Sequence, residues 1–170
     1  METPMEKEKV GKPRILLVDL GKVLLNSTEE GHKGKLNPRH KQLIEELGDD
    51  YHFFDYFGLN EQLLDKLAEI KEEVPIYMIT EGNIQDYPAL KEKLITVFDY
   101  DKIYSTGQLG LDKKTPDAYE YVKNDLGVKP HEILFVDDSD ANSDAAESAG
   151  LHIVRFISET QTIEALQSIF

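Results

Sequence analysis

Short apolar runs alternate along this chain with longer segments in which apolar residues recur at helical spacing. Five apolar runs have the length and composition of β-strands, at residues 14–19, 75–80, 102–105, 133–137 and 151–156. Helical patterns occupy residues 39–47, 61–73, 87–97, 116–126 and 140–149, and a last helix begins near Ser158. The second of these helices presents one apolar face, made by Leu63, Leu64, Leu67 and Ile70.

Residue types at the ends of these segments support the predicted helix boundaries. Asn37 followed by Pro38 is typical of a helix N-terminus, with Asn as the N-cap and Pro at the first helical position. Ser158 and Gln161 have the spacing of a capping box at the start of the last helix. Glycine, which terminates helices readily, follows three of the predicted helices, at positions 48, 127 and 150.

The alternation of strands and helices predicts an α/β fold. Strands separated by helices are joined by crossover connections, which produce a parallel sheet. Three of the predicted strands end in a polar residue, namely Asp19, Thr80 and Asp137. In an open α/β sheet the ligand crevice lies beyond the carboxyl ends of the strands. We therefore expect these three side chains to converge although they are far apart in sequence.

Length and composition fit one globular domain. The chain has 170 residues, of which 40% are hydrophobic and 31% charged, and we expect a single core domain over residues 14–170. Residues 1–13 are highly charged and lack the apolar region of a secretory signal, so we expect a flexible tail there. The absence of cysteine excludes disulfides and thiolate chemistry and is consistent with a cytoplasmic location.

The negative net charge of the chain disfavours anionic macromolecules as binding partners. A net charge of -14 repels nucleic acid and anionic membranes, so neither is expected as a partner. The same field repels phosphorylated substrates at long range, and a phosphate site would need a metal ion or local cations to reverse the sign. The acidity also has a simpler explanation, since a large net charge keeps a protein soluble.

The most specific motif lies in residues 133–150, which read ILFVDDSDANSDAAESAG. Paired carboxylates at a strand end, here Asp137 and Asp138, attract a hard cation that takes oxygen ligands; the same acids could instead cap the following helix. The segment resembles the fourth motif of haloacid dehalogenase (HAD) superfamily phosphatases, including an Asn or acid four residues after the second acid, here Asn142. The resemblance implies that the acids bind Mg²⁺ and that Asn142 orients Asp138 or a metal-bound water.

Residues 18–24, VDLGKVL, resemble the first motif of the same superfamily in its D-L-G-x-V-L variant. The resemblance places Asp19 as the nucleophile that forms an aspartyl-phosphate. Gly21 stands where most family phosphatases have a second Asp, whose backbone carbonyl binds the metal and whose carboxyl acts as general acid and base. Gly21 can still supply the carbonyl, but it cannot transfer protons, which predicts a rate lower by about 10²–10⁴-fold unless another group replaces that carboxyl. Tyr77, Glu81 and Asp112 are the candidates.

Two weaker motifs complete the family order. IYMIT, at residues 76–80, ends in Thr80, which by resemblance hydrogen-bonds the phosphoryl group. LGLDKKTPDAY, at residues 109–119, is similar to the family's G-x-x-K-P-D-P-x-x-Y. Counting from Gly110 favours Lys113 as the lysine that pairs with the nucleophile, with Lys114 as the alternative. The resemblance implies a Rossmann-like, doubly wound sheet with the strand order 5-4-1-2-3.

The segment inserted after the first motif is shorter than the cap domains of this superfamily. Residues 26–58 can hold one helix or a small helical pair, which predicts a reduced cap and an open site. Such a site suits a bulky phosphorylated substrate, or completion by another subunit, so the chain could act as a monomer or a homodimer. The aromatic-rich stretch at residues 51–57 is expected to pack the insert against the core; a lid over substrate and a dimer contact are the alternatives.

The favoured function is a Mg²⁺-dependent phosphatase with catalytic residues Asp19, Thr80, Lys113 and Asn142 and metal ligands Asp19, Gly21, Asp138 and Asp137. The second hypothesis is a weak or inactive HAD-like binding or regulatory protein, because Gly21 removes the general acid and base. The third is C–halogen hydrolysis, because dehalogenases of the superfamily also lack the second Asp. They need no metal and lack the acidic pair of the fourth motif, so the Asp137–Asp138 pair argues against this option.

Overall fold

The computed structural model describes residues 11–170, so residues 1–10 of the predicted flexible tail lie outside the described part of the chain. Five parallel strands form the central sheet: β1 (Ile15–Asp19), β4 (Ile76–Thr80), β5 (Tyr104–Ser105), β6 (Ile133–Asp137) and β7 (His152–Arg155). Their spatial order is β5-β4-β1-β6-β7. When the five core strands are numbered 1 to 5 along the chain and the sheet is read from the β7 edge, this is the predicted order 5-4-1-2-3, so the predicted fold class is confirmed.

The central strand β1 is apolar on both faces because both faces of the sheet are covered. Leu16 lies opposite Ile76 of β4 and Leu134 of β6, and all three are buried. Leu16 belongs to the apolar core on one side of the sheet, while its neighbour Leu17 belongs to the core on the other. Successive residues of a strand point to opposite faces, so a strand buried on both sides has an unbroken apolar sequence.

The described residues contain eight α-helices. They are α1 (Leu36–Leu47), α2 (Phe53–Tyr56), α3 (Glu61–Ile70), α4 (Pro88–Leu94), α5 (Thr106–Leu109), α6 (Pro116–Leu126), α7 (Asp140–Ser148) and α8 (Glu159–Ile169). Apolar residues of α1, α3, α4 and α8 pack on one face, and those of α6 and α7 pack on the other. This arrangement is the doubly wound one that the sequence predicts.

Some helix ends differ from the prediction. Helix α1 begins at Leu36 with Lys35 as its N-cap, so the prediction of Asn37 as N-cap is wrong. The Asn37 side chain instead accepts a hydrogen bond from the Ile84 backbone N–H (3.0 Å) and is thereby engaged outside its own helix. Ser158 does cap α8 by accepting from Gln161 N (3.2 Å), but the Gln161 side chain accepts from Ile157 N rather than from the N-cap.

The insert contains a small sheet that the sequence pattern does not predict. Strands β2 (Leu25–Ser27) and β3 (Phe57–Leu59) pair antiparallel at the two ends of the insert. Tyr51, Phe53 and Phe57 of the aromatic stretch are buried, as predicted, whereas Phe54 is exposed. Phe53 stacks on Tyr87 of the core at 5.4 Å between ring centroids, and buried His40 lies 4.9 Å from the same ring. The insert is therefore fixed on the core by aromatic packing.

No helix within residues 11–170 is long and apolar enough to cross a membrane.

Candidate active site

The three strand-end polar residues converge, as predicted from the fold class. Asp19, Thr80 and Asp137 end β1, β4 and β6, which are adjacent in the sheet, and all three are buried. Beyond these ends lies a pocket of about 230 Å³. Its lining comprises Asp19, Gly21, Lys22, Lys35, Leu36, Asn37, Thr80, Glu81, Ile84, Lys113, Lys114, Asp138, Ser139 and Asn142. The pocket thus occupies the crevice where open α/β sheets bind ligands.

Lys113 is the lysine that contacts the predicted nucleophile. Its Nζ lies 2.5 Å from Asp19 Oδ1 and 3.6 Å from Asp137 Oδ2, and its side chain is buried. The Tyr119 hydroxyl donates to the Lys113 backbone carbonyl (2.7 Å) and fixes this residue just before helix α6. The adjacent Lys114 also lines the pocket but is exposed. Of the two lysines left open by the sequence, geometry therefore favours Lys113 for the pair with Asp19.

Burial controls the charge state of Asp19. Desolvation raises the pKa of Asp19 to about 7; the Lys113 ammonium lowers it, and the Asp137 carboxylate raises it again. Burial alone would lower the pKa of Lys113, but Asp19 and Asp137 hold a proton on it and raise the pKa overall. One lysine thus stabilises two buried carboxylates only in part, and a further positive charge in the pocket would favour the ionised, nucleophilic form of Asp19.

Asp137 links β6 to helix α7. Its Oδ1 accepts from the Ser139 backbone N–H (2.7 Å) and its Oδ2 accepts from the Asn142 side-chain amide (3.1 Å). The Asn142 amide therefore contacts Asp137, whereas the sequence interpretation had it orient Asp138 or a metal-bound water. Lys113 Nζ also lies 3.6 Å from Asp137 Oδ2, so the fully buried Asp137 carboxylate has partners on both of its oxygens.

Three carboxylates form a cluster that suits a hard cation. Oxygen atoms of Asp19, Asp137 and Asp138 lie within 4.8 Å of one another. Burial and the neighbouring Asp137 raise the pKa of Asp138. Every donor in this set is an oxygen, which is the ligand type that Mg²⁺ prefers, and a bound cation would relieve the mutual repulsion of the acids. The residues present therefore fit a Mg²⁺ ion.

A tight turn follows the nucleophile. Leu20 N donates to Asp19 Oδ1 (2.9 Å), and the backbone N–H groups of Leu24 and Leu25 both donate to the Leu20 carbonyl. Lys22 has φ of 64°, the only positive φ of a non-glycine residue in the described range. The turn brings Gly21 and Lys22 into the lining of the pocket, which also includes Asp19 and Asp138.

Thr80 and Glu81, at the end of β4, form a further part of the pocket wall. Thr80 lines the pocket, and its backbone carbonyl accepts from the Thr106 hydroxyl (3.3 Å). The Glu81 carboxylate lies 2.8 Å from Lys35 Nζ, which belongs to the insert. Of the possible substitutes for the missing acid, only Glu81 lines the pocket; Tyr77 and Asp112 do not.

Sequence reasoning missed the contribution of the insert to the pocket. Lys35, Leu36 and Asn37 line it from one side, although the short insert predicted an open site. Lys22 and Ser139 were also missed. Their adjacency to the nucleophile and to the acidic pair was a signal that could have identified them, whereas nothing in the sequence around Lys35 indicates which part of the core it faces.

Comparison with known proteins identifies the family. The sequence model of the haloacid dehalogenase-like hydrolases matches residues 21–150. The chain belongs to this family. Among curated HAD-like relatives, it is 28% identical over 111 residues to enolase-phosphatase E1 of Aquifex aeolicus, covering 59% of this chain and 46% of the relative. It is 28% identical over 104 residues to D-ribitol-5-phosphate phosphatase of Bacteroides thetaiotaomicron, covering 58% and 50%. The chain thus spans about half the length of these relatives.

Solved structures of HAD enzymes share the fold. A HAD-superfamily hydrolase from Ehrlichia chaffeensis superposes with a TM-score of 0.65 at 17% identity, covering 94% of this chain and 98% of the other. A HAD family enzyme from Bacteroides thetaiotaomicron, crystallised with magnesium and inorganic phosphate, gives a TM-score of 0.58 at 19% identity, covering 84% and 93%. At these identities the likeness establishes the architecture of the sheet and its helices.

Proposed function

We propose that this HAD-like hydrolase is a Mg²⁺-dependent phosphatase that hydrolyses phosphoric monoesters through an aspartyl-phosphate on Asp19. The observation that carries the proposal is the contact of 2.5 Å between Lys113 Nζ and Asp19, beside a cluster of three carboxylates. A buried nucleophile next to one fixed cation and a cation-binding cluster is the arrangement that phosphoryl transfer requires. The two phosphatase relatives support the same reaction class.

The proposed metal ligands are Asp19, the Gly21 carbonyl and Asp138, with Asp137 nearby. A bound Mg²⁺ would supply positive charge that offsets the repulsion between a carboxylate and a phosphate dianion. The HAD family enzyme from Bacteroides thetaiotaomicron was crystallised with magnesium and inorganic phosphate, which supports this choice of cofactor. Asp137 contributes mainly by holding Lys113 and Asn142 in place, since both of its oxygens accept hydrogen bonds from the protein.

Each remaining polar group of the pocket has a distinct task in the proposed reaction. An Asp19 oxygen attacks phosphorus, and the bond to the ester oxygen of the substrate breaks. The Lys113 ammonium and the Thr80 hydroxyl bind the phosphoryl oxygens as charge develops on them. Asn142 is a positioning residue that acts through Asp137. Burial of Asp19 keeps bulk water away from the nucleophile until the leaving group has departed.

The proposed substrate is a phosphorylated compound whose organic part extends out of the pocket. A volume of about 230 Å³ is below the roughly 300–1,000 Å³ of typical small-molecule sites. The pocket therefore holds the phosphoryl group and the adjoining atoms, while a bulky leaving group would lie across its mouth. The mouth is bordered by Lys22, Lys35 and Lys114 in a chain of net charge -14, so local cations could offset the repulsion of an anionic substrate.

Phosphate release from an aryl phosphate, measured with and without Mg²⁺, tests the proposal. An aryl phosphate has a good leaving group and so depends least on a general acid. We expect Mg²⁺-dependent turnover by the native chain and a loss of at least about 10³-fold in Asp19→Asn, which cannot form the aspartyl-phosphate. Asp117→Asn, an exposed substitution outside the pocket, is the matched control and should keep native activity. Equal activity of Asp19→Asn and the native chain would refute the mechanism.

A binding or regulatory role is the second candidate, and Gly21 is the observation that favours it. In that role the chain would bind Mg²⁺ through the carboxylate cluster without turning over phosphate esters. Native chain that binds Mg²⁺ in calorimetry, yet releases no phosphate from a broad panel of esters, would establish this alternative. C–halogen hydrolysis is separated from both by its independence of metal.

A further inference from the structure

The pocket contains a carboxylate that no step described above uses. Four side-chain carboxylates lie in or beside the pocket. Three of them already have a proposed role: Asp19 is the nucleophile, and Asp137 and Asp138 belong with it to the cation cluster. The remaining one is Glu81, whose side chain is 43% exposed, whereas the side chain of Asp19 is 8% exposed. Both residues line the same pocket, so Glu81 is a carboxylate at its more exposed side.

The backbone of Glu81 is held firmly. Its carbonyl accepts from the Gly107 backbone N–H (2.9 Å), and a Cβ on Gly107 would come within 2.4 Å of that carbonyl oxygen. The next carbonyl, of Gly82, accepts from the buried Ser105 hydroxyl (2.9 Å), and a Cβ on Gly82 would meet the Asn37 side chain at 2.6 Å. Close packing on both sides thus fixes the segment that carries Glu81, as a group involved in proton transfer requires.

The geometry of aspartyl-phosphate hydrolysis requires the general base to lie on the open side of the pocket. When an aspartyl-phosphate on Asp19 is hydrolysed, water approaches phosphorus in line with the bond that breaks, from the side opposite the Asp19 oxygen. Asp19 is buried, so that side faces the open part of the pocket, whose lining includes the partly exposed Glu81. Lys35 Nζ lies 2.8 Å from one oxygen of the Glu81 carboxylate and holds this side chain at the pocket wall.

We propose that Glu81 is the general base for hydrolysis of the aspartyl-phosphate, in the place of the carboxyl that Gly21 lacks. In this step the Glu81 carboxylate takes a proton from water while the water oxygen bonds to phosphorus. The bond between phosphorus and the Asp19 oxygen breaks, and its electron pair returns to the Asp19 carboxylate. Inorganic phosphate departs, and Glu81 later releases its proton to solvent. The inference rests on the proposed phosphatase function.

Pre-steady-state kinetics with an aryl phosphate and Mg²⁺ test this role. Glu81→Gln keeps the size of the side chain but cannot accept the proton. We expect its steady-state rate to fall by about 10²-fold or more, the usual contribution of a general base. Formation of the aspartyl-phosphate should continue, so the variant should release a burst of one aryl alcohol per site, with the phosphate retained on the protein. A residue with a merely structural role would not separate these two phases.

Three further variants make the outcomes distinct. Glu92→Gln, on the exposed surface of α4, is the matched control and should behave as the native chain. Glu81→Asp should restore part of the steady-state rate. Gly21→Asp added to Glu81→Gln should also restore it, because the carboxylate introduced at position 21 can accept the proton from water.

Two results would overturn the inference alone: a steady-state rate of Glu81→Gln within about threefold of native, or loss of the burst together with the steady state. Absence of Mg²⁺-dependent turnover in the native chain would instead refute the phosphatase function, and the inference with it.

Discussion

Gly21→Asp should convert the site into one with a complete general acid, and the structure allows the change. The Cβ of the new side chain would have Leu36 Cδ1 as its nearest neighbour, at 3.8 Å, which is an ordinary van der Waals distance. Gly21 is not among the glycines with positive φ, so a side chain there adds no left-handed strain. Both Gly21 and Leu36 line the pocket, and the new carboxyl would therefore lie at its surface.

The expected magnitude depends on the leaving group. Replacing glycine at a compatible position stabilises a fold by about 0.4–1 kcal/mol through the unfolded chain, and repulsion from nearby acids opposes this, so stability should change little. Alkyl phosphates have poor leaving groups, and their kcat should rise by at least about 10-fold towards the 10²–10⁴-fold limit of general acid catalysis. Aryl phosphates, which leave readily, should change by less than about threefold.

The assay is kcat for one aryl and one alkyl phosphate at saturating Mg²⁺, measured for the native chain, Gly21→Asp and Gly21→Asn. The Asn variant has nearly the same shape but no transferable proton, so it should keep native rates with both substrates. An equal gain in Asp and Asn, or an equal gain with both substrates, would show that shape or metal binding limits the native site. No gain by Gly21→Asp would refute the reasoning that the missing acid limits the rate.

Two further predictions concern stability. Gly107→Ala places a Cβ 2.4 Å from the Glu81 carbonyl oxygen, so we expect overpacking to lower the free energy of unfolding by about 1–3 kcal/mol in urea titrations. Gly34→Ala is the control and should change the stability little, because its new Cβ would have its nearest neighbour at 3.5 Å. Equal stabilities of the two variants would contradict the close approach at Gly107. Burial lowers the pKa of His40 below its ordinary value near 6.5, so protonation of His40 favours the unfolded chain. The stability contributed by neutral His40 is therefore present above about pH 6.5 and is lost as pH falls through the lowered pKa; His40→Gln should flatten this pH dependence in urea titrations, and an unchanged pH dependence would contradict the assignment.

The parts of the site that the sequence predicts are those fixed by strand topology. Asp19, Thr80 and Asp137 end apolar runs, and the carboxyl ends of adjacent parallel strands necessarily meet at one edge. Lys113 follows from the resemblance to the family's third motif by counting from Gly110, although only its contact with Asp19 in the structure distinguishes it from Lys114.

The parts that the sequence does not predict depend on very short segments or on side-chain choice. Strands β2 and β3 have three residues each, too few for a periodic pattern to be visible. The Lys35–Glu81 pair depends on how the insert lies on the core, which local sequence does not determine. The sequence does not indicate which acid of the Asp137–Asp138 pair Asn142 contacts. In the structure the Asn142 amide donates to Asp137.

The insert at residues 26–58 forms part of the wall of the pocket. It contributes Lys35 to the ion pair with Glu81, and its Asn37 accepts from Ile84 N, so it contacts the segment that follows β4 at two points. Aromatic packing of Phe53 on Tyr87 fixes the insert at a third point. A short insert held in this way leaves little room for a large hinge motion, because all three contacts would have to break together. We therefore expect it to act as a fixed wall of the pocket and, in the proposed phosphatase, to leave discrimination among substrates to the side chains at the mouth.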